Sequence, residues 1–294
     1  MNRLIALSVG ILLLFTAVSA FGQIKIGIGG AIEWNKMEIT AAVSLDLASA
    51  GIRLPAGRTQ GEVMIANEYI RLISPVILNL QVDSYSSAGD LIQRGEWSLQ
   101  EAESLALQAR STPPLLSLDF KKMSASYTIN LAGIVAAHLR HERPIEVPRT
   151  LSPVPTAAYT GIIIIASEAQ PVHGRTGAAI LRPCLFPKIW DAEMNLIYER
   201  NMLNPKITAM ARYFSIKDIF AGGPSGLSPE IAAVTGSRPL RIFARGVFGS
   251  TPTDPIISRE DALLIISTEE NRNLLREGRV AIIVDDSVLV NKIP

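Results

Sequence analysis

The chain has 294 residues, 48% of them hydrophobic, 19% charged and 6% aromatic, which is enough apolar material for one large or two ordinary folded domains. It carries 28 basic and 27 acidic residues for a formal charge of +1, and Arg3 is the only charged side chain among the first 20, so the remainder is neutral. That balance excludes a disordered polyelectrolyte and argues against nucleic-acid binding, which would need a basic excess.

Arg3 precedes an apolar run from Leu4 to Phe15, and Val18-Ser19-Ala20 then offers small side chains where a signal peptidase cuts. This three-part pattern is that of a secretory signal peptide over residues 1–20. The expected mature start is Phe21, or Gln23 after a second cut behind Gly22. No later stretch reaches about 18 consecutive apolar residues, so no integral membrane segment is expected after cleavage. No cysteine lies near the cut to carry a lipid. The expected address is the periplasm or the outer membrane's periplasmic side, for a protein that is not a lipoprotein.

From Gln23 to Gly30 apolar residues alternate at period two and predict a strand, with a hairpin partner over Met37–Leu45. Apolar residues at helical spacing predict a helix from Thr59 to about Leu80, which Pro75 should kink or end. Ser98 and Glu101 form a capping box for a helix to about Arg110, and strands are expected at Leu115–Phe120 and Ser126–Leu131. This order predicts an α+β fold for residues 23–142, with helices covering one face of a mostly antiparallel or mixed sheet. Pro144, Pro148, Pro153 and Pro155 mark a stiff linker over 143–156.

A second α/β-type domain is expected over 157–294. It opens with Ile162-Ile163-Ile164-Ile165, a run that reads as a strand buried on both faces. Further strands are expected at Ala178–Leu185, Asn195–Tyr198, Ile207–Tyr213, Leu240–Val247 and Val280–Val284. Ser258, with Asp261 at the third helical position, caps a helix expected to run to about Leu275, and Gly278 stops it.

Catalytic patterns do not assemble. His138 and His141 could share a helical face, yet a zinc site needs a third ligand, and the histidines are read as exposed linker side chains. Gly27-Ile28-Gly29-Gly30 lacks the third spaced glycine of a dinucleotide loop, and Gly222-Gly223-Pro224-Ser225-Gly226 lacks the Lys-Ser/Thr of a phosphate loop. Asp285-Asp286 reads as a turn, and the lone Cys184 as a small buried hydrophobe. No enzyme activity, metal or cofactor is expected. Phe186, Trp190 and Tyr198 read as the core of a hairpin turning at Asp191–Asn195, with Trp190 beside the turn as the exception, a candidate anchor for a partner. Arg245, near a strand end, is a second candidate, because a guanidinium can hold a carboxylate bidentately.

Tyr159-Thr160-Gly161 before the isoleucine strand, and Pro183-Cys184-Leu185-Phe186-Pro187-Lys188-Ile189-Trp190-Asp191, resemble segments of exported bacterial flagellar proteins. So do Phe243-Ala244-Arg245-Gly246, Thr253-Asp254-Pro255-Ile256-Ile257-Ser258 and Glu277-Gly278-Arg279-Val280. The family is that of the flagellar outer-membrane lipoprotein P and the N-terminal region of flagellar assembly protein T, and the resemblance lies mainly over 157–294. It implies a noncatalytic structural or assembly component whose partners are other envelope or flagellar proteins, or further copies of itself. The alternative reading is a periplasmic module that binds a glycan or small ligand.

Overall fold

A computed structural model describes residues 24–139, 141–222 and 226–293. The expected signal peptide lies outside the described residues, as do three residues of the glycine-rich 222–226 loop. The fold is α+β, with both halves built from sheets and covering helices.

In the first half, β1 (Ile26–Glu33) and β2 (Glu38–Asp46) form the expected hairpin, in register from Ile26 opposite Leu45 to Glu33 opposite Glu38. Alternation in β2 buries Ile39, Ala41, Val43 and Leu45 and turns Ala42 and Ser44 outward. Helix α1 (Arg58–Leu78) lays Ile65, Tyr69, Ile73 and Ile77 into the core at every fourth position. Pro75 does not end it. The helix runs three residues further, and the Ser74 hydroxyl donates to Ile70 O (2.6 Å), engaging a carbonyl one turn back. Two helices with capping boxes follow: α2 (Ala88–Gln93), begun by Ser87 and Asp90, and α3 (Leu99–Leu107), begun by Ser98 and Glu101. Then come β3 (Arg110–Ser111), β4 (Leu115–Leu116), the long β5 (Lys122–Asn130) paired with β2, and α4 (Leu131–His138). The expected strand 115–120 shrinks to two residues because its remainder is a hairpin turn.

The proline-rich stretch is extended, as its composition requires, but it is not a free tether. Ile145 N–H donates to Asn201 O (2.8 Å), Val147 is buried, Glu146 pairs with Arg276 (3.2 Å), and Val154 N–H donates to Ser267 Oγ (3.0 Å). Only its crest around Leu151 stands fully in solvent. A broad-specificity protease is therefore expected to cut first within 149–153, rather than anywhere along 143–156. Mass mapping of the first fragments checks this, and early cuts at 144–147 would contradict the pinned geometry.

The second half adds β6 (Ile162–Ile165), β7 (Gln170–Pro171), β8 (Ala178–Ala179), β9 (Ile189–Asp191), β10 (Leu196–Tyr198) and β11 (Arg212–Ser215). It continues through α5 (Ile216–Phe220), α6 (Pro229–Thr235), β12 (Leu240–Phe243), β13 (Gly246–Phe248) and β14 (Asp254–Ile257). The chain ends with α7 (Arg259–Ile266), α8 (Glu269–Arg276), β15 (Val280–Val284), α9 (Asp286–Leu289) and β16 (Val290–Ile293). Strands β11-β15-β6-β12 form an all-parallel sheet, with β6 and β15 at its centre. The isoleucine run is divided by alternation. Ile162 and Ile164 join the main core, while Ile163 packs with Phe214, Ile231, Ala281 and Ile283 on the other face. Gly161 is required just before β6, since a Cβ there would lie 2.4 Å from Thr235 Cα at the end of α6.

Four expectations for this half change. The strand Ile207–Tyr213 is instead Arg212–Ser215, since the chain before it turns, with Ile207 N–H donating to Asn204 O (3.0 Å). The strand Ala178–Leu185 is only Ala178–Ala179, because residues beyond it leave the sheet to bond the first half: Leu185 N–H donates to Gln81 O (3.2 Å) and Phe186 N–H to Val82 O (2.8 Å). The strand Leu240–Val247 is two strands with a corner at Ala244-Arg245. The long helix after Ser258 is two helices, since Thr268 takes an extended conformation and its side chain accepts from Asn271 N–H to start α8. Gly278, at φ +64°, ends α8 as expected.

The halves share one continuous hydrophobic core. The last strand, β16, crosses back to the first half and pairs antiparallel with β1, from Gly30 opposite Ile293 to Glu33 opposite Val290. Trp34 N–H donates to Leu289 O (2.9 Å) beside that crossing.

Candidate interface site

A second sheet of the second half, in the order β10-β9-β14-β13, carries the two residues singled out in the sequence. Trp190 of β9 lies opposite Ile256 of β14, whose neighbour across the next pairing is Gly246 of β13. Alternation from this row puts Trp190, Asp254 and Phe248 on one face.

Asp254 is fully buried and organises that face. Its Oδ1 accepts from Lys188 N–H (3.1 Å) and the Thr253 hydroxyl (3.0 Å), and its Oδ2 accepts from the Trp190 indole N–H (3.4 Å). Burial pushes its carboxyl above the usual carboxylate range, against the opposing pull of these donors and of the Ser84 hydroxyl beside it. The sequence showed Asp254-Pro255 only as a turn. In the structure it opens a buried strand, and the carboxylate sets the position of the tryptophan.

Trp190 is half-buried, and its ring meets Phe248 edge-on at 5.6 Å between centroids. Phe248 meets two more rings, Tyr85 at 6.0 Å and His173 at 5.9 Å. Tyr85, 58% exposed, comes from the first half, so the aromatic cluster spans both halves at the surface. The junction beneath it is tied by Thr251 N–H and the Ser250 hydroxyl, both donating to Ser84 O (3.0 and 2.8 Å). Half-exposed aromatics packed edge to face have little rotamer freedom left to lose, which suits them to hold a partner.

Arg245 is not part of this cluster. It sits exposed in the corner between β12 and β13, its N–H donating to Ile256 O (2.7 Å), and its charge helps hold the Glu260 carboxyl low, behind the larger effects of local hydrogen bonds. Phe186 and Tyr198 are buried, as the hairpin reading requires, and Asp191 Oδ1 accepts from Glu193 and Asn195 N–H (2.9 and 2.8 Å) to form its turn. Tyr85, Phe248 and His173 were missed as a group. Each belongs to a different segment, and no local spacing joins them.

The histidines do not converge. His138 is not an exposed linker side chain: it ends α4 and is buried against Trp97 (4.9 Å), because that helix packs its apolar face into the core, while His141 Nε2 lies 2.7 Å from Leu203 O and His173 stands on the aromatic surface. Among the described residues no three His, Cys, Asp or Glu side chains group to hold a metal ion. Cys184 is buried beside Tyr213, and burial pushes its thiol up. A cleft between the halves, lined by Trp34, Asn79, Gln81, Arg182 and Thr251, holds about 140 Å³, well below the roughly 300–1,000 Å³ of small-molecule sites. A wider groove of about 830 Å³ beside Ile24 and Ser44 lies open.

Residues 25–137 match the family model for the N-terminal domain of Treponema pallidum Tp0624, and residues 161–286 match that for its second domain. The two matches follow the order of the two halves and fall on either side of the proline-rich stretch. Strand β16 lies past the second match. Neither model is one of the flagellar families that the sequence motifs resemble. No curated protein matches the chain.

Proposed function

We propose that this is an exported, noncatalytic cell-envelope protein that works by binding another protein through the aromatic surface of Tyr85, Trp190 and Phe248. The single observation that carries the reading is that surface: three partly or largely exposed rings from both halves that meet at Phe248, with Trp190 held by a buried carboxylate. The sequence motifs after Tyr159 favour a role in the assembly of the flagellar motor or of structures at the outer membrane, with Arg245 as a separate polar contact. Binding of a small ligand is the weaker reading, since the cleft between the halves is small and the 830 Å³ groove beside Ile24 is open to solvent rather than enclosed.

Deleting the gene is expected to impair motility or motor assembly. Complementation separates the surface from the fold. Tyr85 is 58% exposed, so Tyr85→Ala should leave the melting transition nearly unchanged while weakening association by about 2 kcal/mol. Trp190→Ala should weaken association similarly and also lower stability, because its indole N–H is held by Asp254. Normal swimming and normal motors in the deletion strain would remove the flagellar role. Full rescue by a Tyr85→Ala, Trp190→Ala double variant that folds would remove the aromatic surface.

A further inference from the structure

The hairpin between β4 and β5 carries three large apolar side chains into solvent: Leu115 at 67%, Leu118 at 102% and Phe120 at 64% exposure. Its turn is well defined. Phe120 N–H donates to Ser117 O (2.9 Å), Ser117 N–H to Lys122 O (2.9 Å) and Lys122 N–H to Ser117 Oγ (3.0 Å), while the Ser117 hydroxyl donates to Asp119 Oδ1 (2.6 Å). Phe120 closes this turn at φ +53°, in the left-handed region where a bulky L residue is strained and Gly or Asn is at ease. Met37 tolerates a similar φ because its side chain is buried in the core. Phe120 has less compensation: its backbone conformation costs folding energy while 64% of the residue stays exposed. An exposed aromatic that breaks a local rule for little packing return points to a role outside the fold.

The surroundings identify what meets it. Lys121 and Lys122 follow directly, and both are exposed. Leu47 N–H donates to Lys121 O and Asp46 N–H to Lys25 O (both 2.9 Å), so the start of the described chain, Ile24-Lys25, lies at the same end of the sheet as the hairpin tip. Ile24 is also exposed, and it follows directly on the sequence that holds the apolar 4–22 run. The acidic groups at this end are both engaged: Asp119 with Ser117 and Lys121, and Asp46 with Ser49 N–H (2.8 Å). Three lysines against these two carboxylates leave the cluster with a positive balance, Lys25 and Lys122 having neither carboxylate as an ion-pair partner. The open groove beside Ile24 and Ile26 is edged by Lys25 and Lys122 and continues this surface.

We propose that this end docks on a lipid bilayer with anionic headgroups, Leu118 and Phe120 entering the acyl boundary while Lys25, Lys121 and Lys122 meet the phosphates. A protein partner fits the shape less well. Separate knobs on a convex turn cannot supply the roughly 800 Å² per side of an ordinary protein interface. Lipid needs no such flat complement. The encounter in the cell rests on the exported address proposed above, whereas affinity for lipid does not, so a vesicle assay tests the hairpin alone.

The exported protein, its processed N-terminus read by mass spectrometry, is floated with vesicles of phosphatidylcholine and with vesicles containing about a third phosphatidylglycerol. The expected result is flotation with the anionic vesicles, weakened by salt and reduced by about tenfold or more in a Leu118→Ser, Phe120→Asn double variant. Since Leu118 is fully exposed and Asn suits the left-handed turn, the variant's melting temperature should be unchanged or higher. No flotation with either vesicle overturns the proposal, as does a variant that floats like the wild type. Crosslinking from position 118 to an envelope protein, with no vesicle binding, would reassign the tip to a protein partner and equally overturn it.

Discussion

Ending the chain at Leu289 is expected to destabilise the first half by about 4 kcal/mol, although the residues removed lie at the far end of the sequence. Strand β16 covers the outer side of β1 through four residue pairs, and each cross-strand pair contributes roughly 0.2–1 kcal/mol. Ile293 is buried between β1 and α1, near Ile28, Leu72 and Val76, and losing a side chain of that size costs about 2 kcal/mol more. The parallel sheet keeps all its strands in the truncated chain. Urea unfolding together with hydrogen exchange at the β1 amides measures the effect. Undiminished protection of β1 would mean that the return strand contributes nothing.

Replacing Asp254 with Ala is expected to cost about 3 kcal/mol near pH 4 and less at pH 7. The substitution leaves the Lys188 N–H, the Thr253 hydroxyl and the Trp190 indole N–H without their acceptor, and each buried unmet donor costs roughly 1–3 kcal/mol. The pH dependence follows from the direction of the shift. The folded-state pKa is raised above the ordinary 3.8 by burial, so the folded protein binds more protons than the unfolded chain across that window. The side chain's stabilisation is fully present below 3.8 and declines as pH rises through the folded value. Denaturant unfolding of both proteins at pH 4 and pH 7 tests the sign: the gap between wild type and variant should narrow toward neutrality, and a gap that widens would contradict it.

What the sequence revealed was local, and what it concealed was mostly contact between distant segments. The β1–β2 hairpin, α1, the Ser98 capping box, the Ser258 cap and β15 follow from periodicity and capping within a dozen residues, and the structure places each within a few positions. The break between α7 and α8 was also written locally, in Thr268 ahead of Glu269 and Glu270, but the apolar run through Leu264–Ile266 masked it. Residues 181–185 read as strand because most of them are apolar. The backbone partners of Leu185 and Phe186, Gln81 and Val82, are far away in sequence, and no pattern in either segment names the other. The candidate site divides the same way. The turn beside Trp190 was legible from Asp191–Asn195, whereas Asp254, Phe248 and Tyr85 acquire their roles only by being brought beside it.

The return of β16 to β1 has a consequence for how the molecule comes into being. Gly30 and Ile293 are register partners despite their wide separation in sequence, so the first sheet cannot be completed until β16 has been synthesised. Contacts of such long range are slow to form, because a large loop must close before they yield any stabilisation. During N-to-C emergence the first half would wait with one side of β1 uncovered. Emergence of β16 then acts as the signal for closing the first sheet.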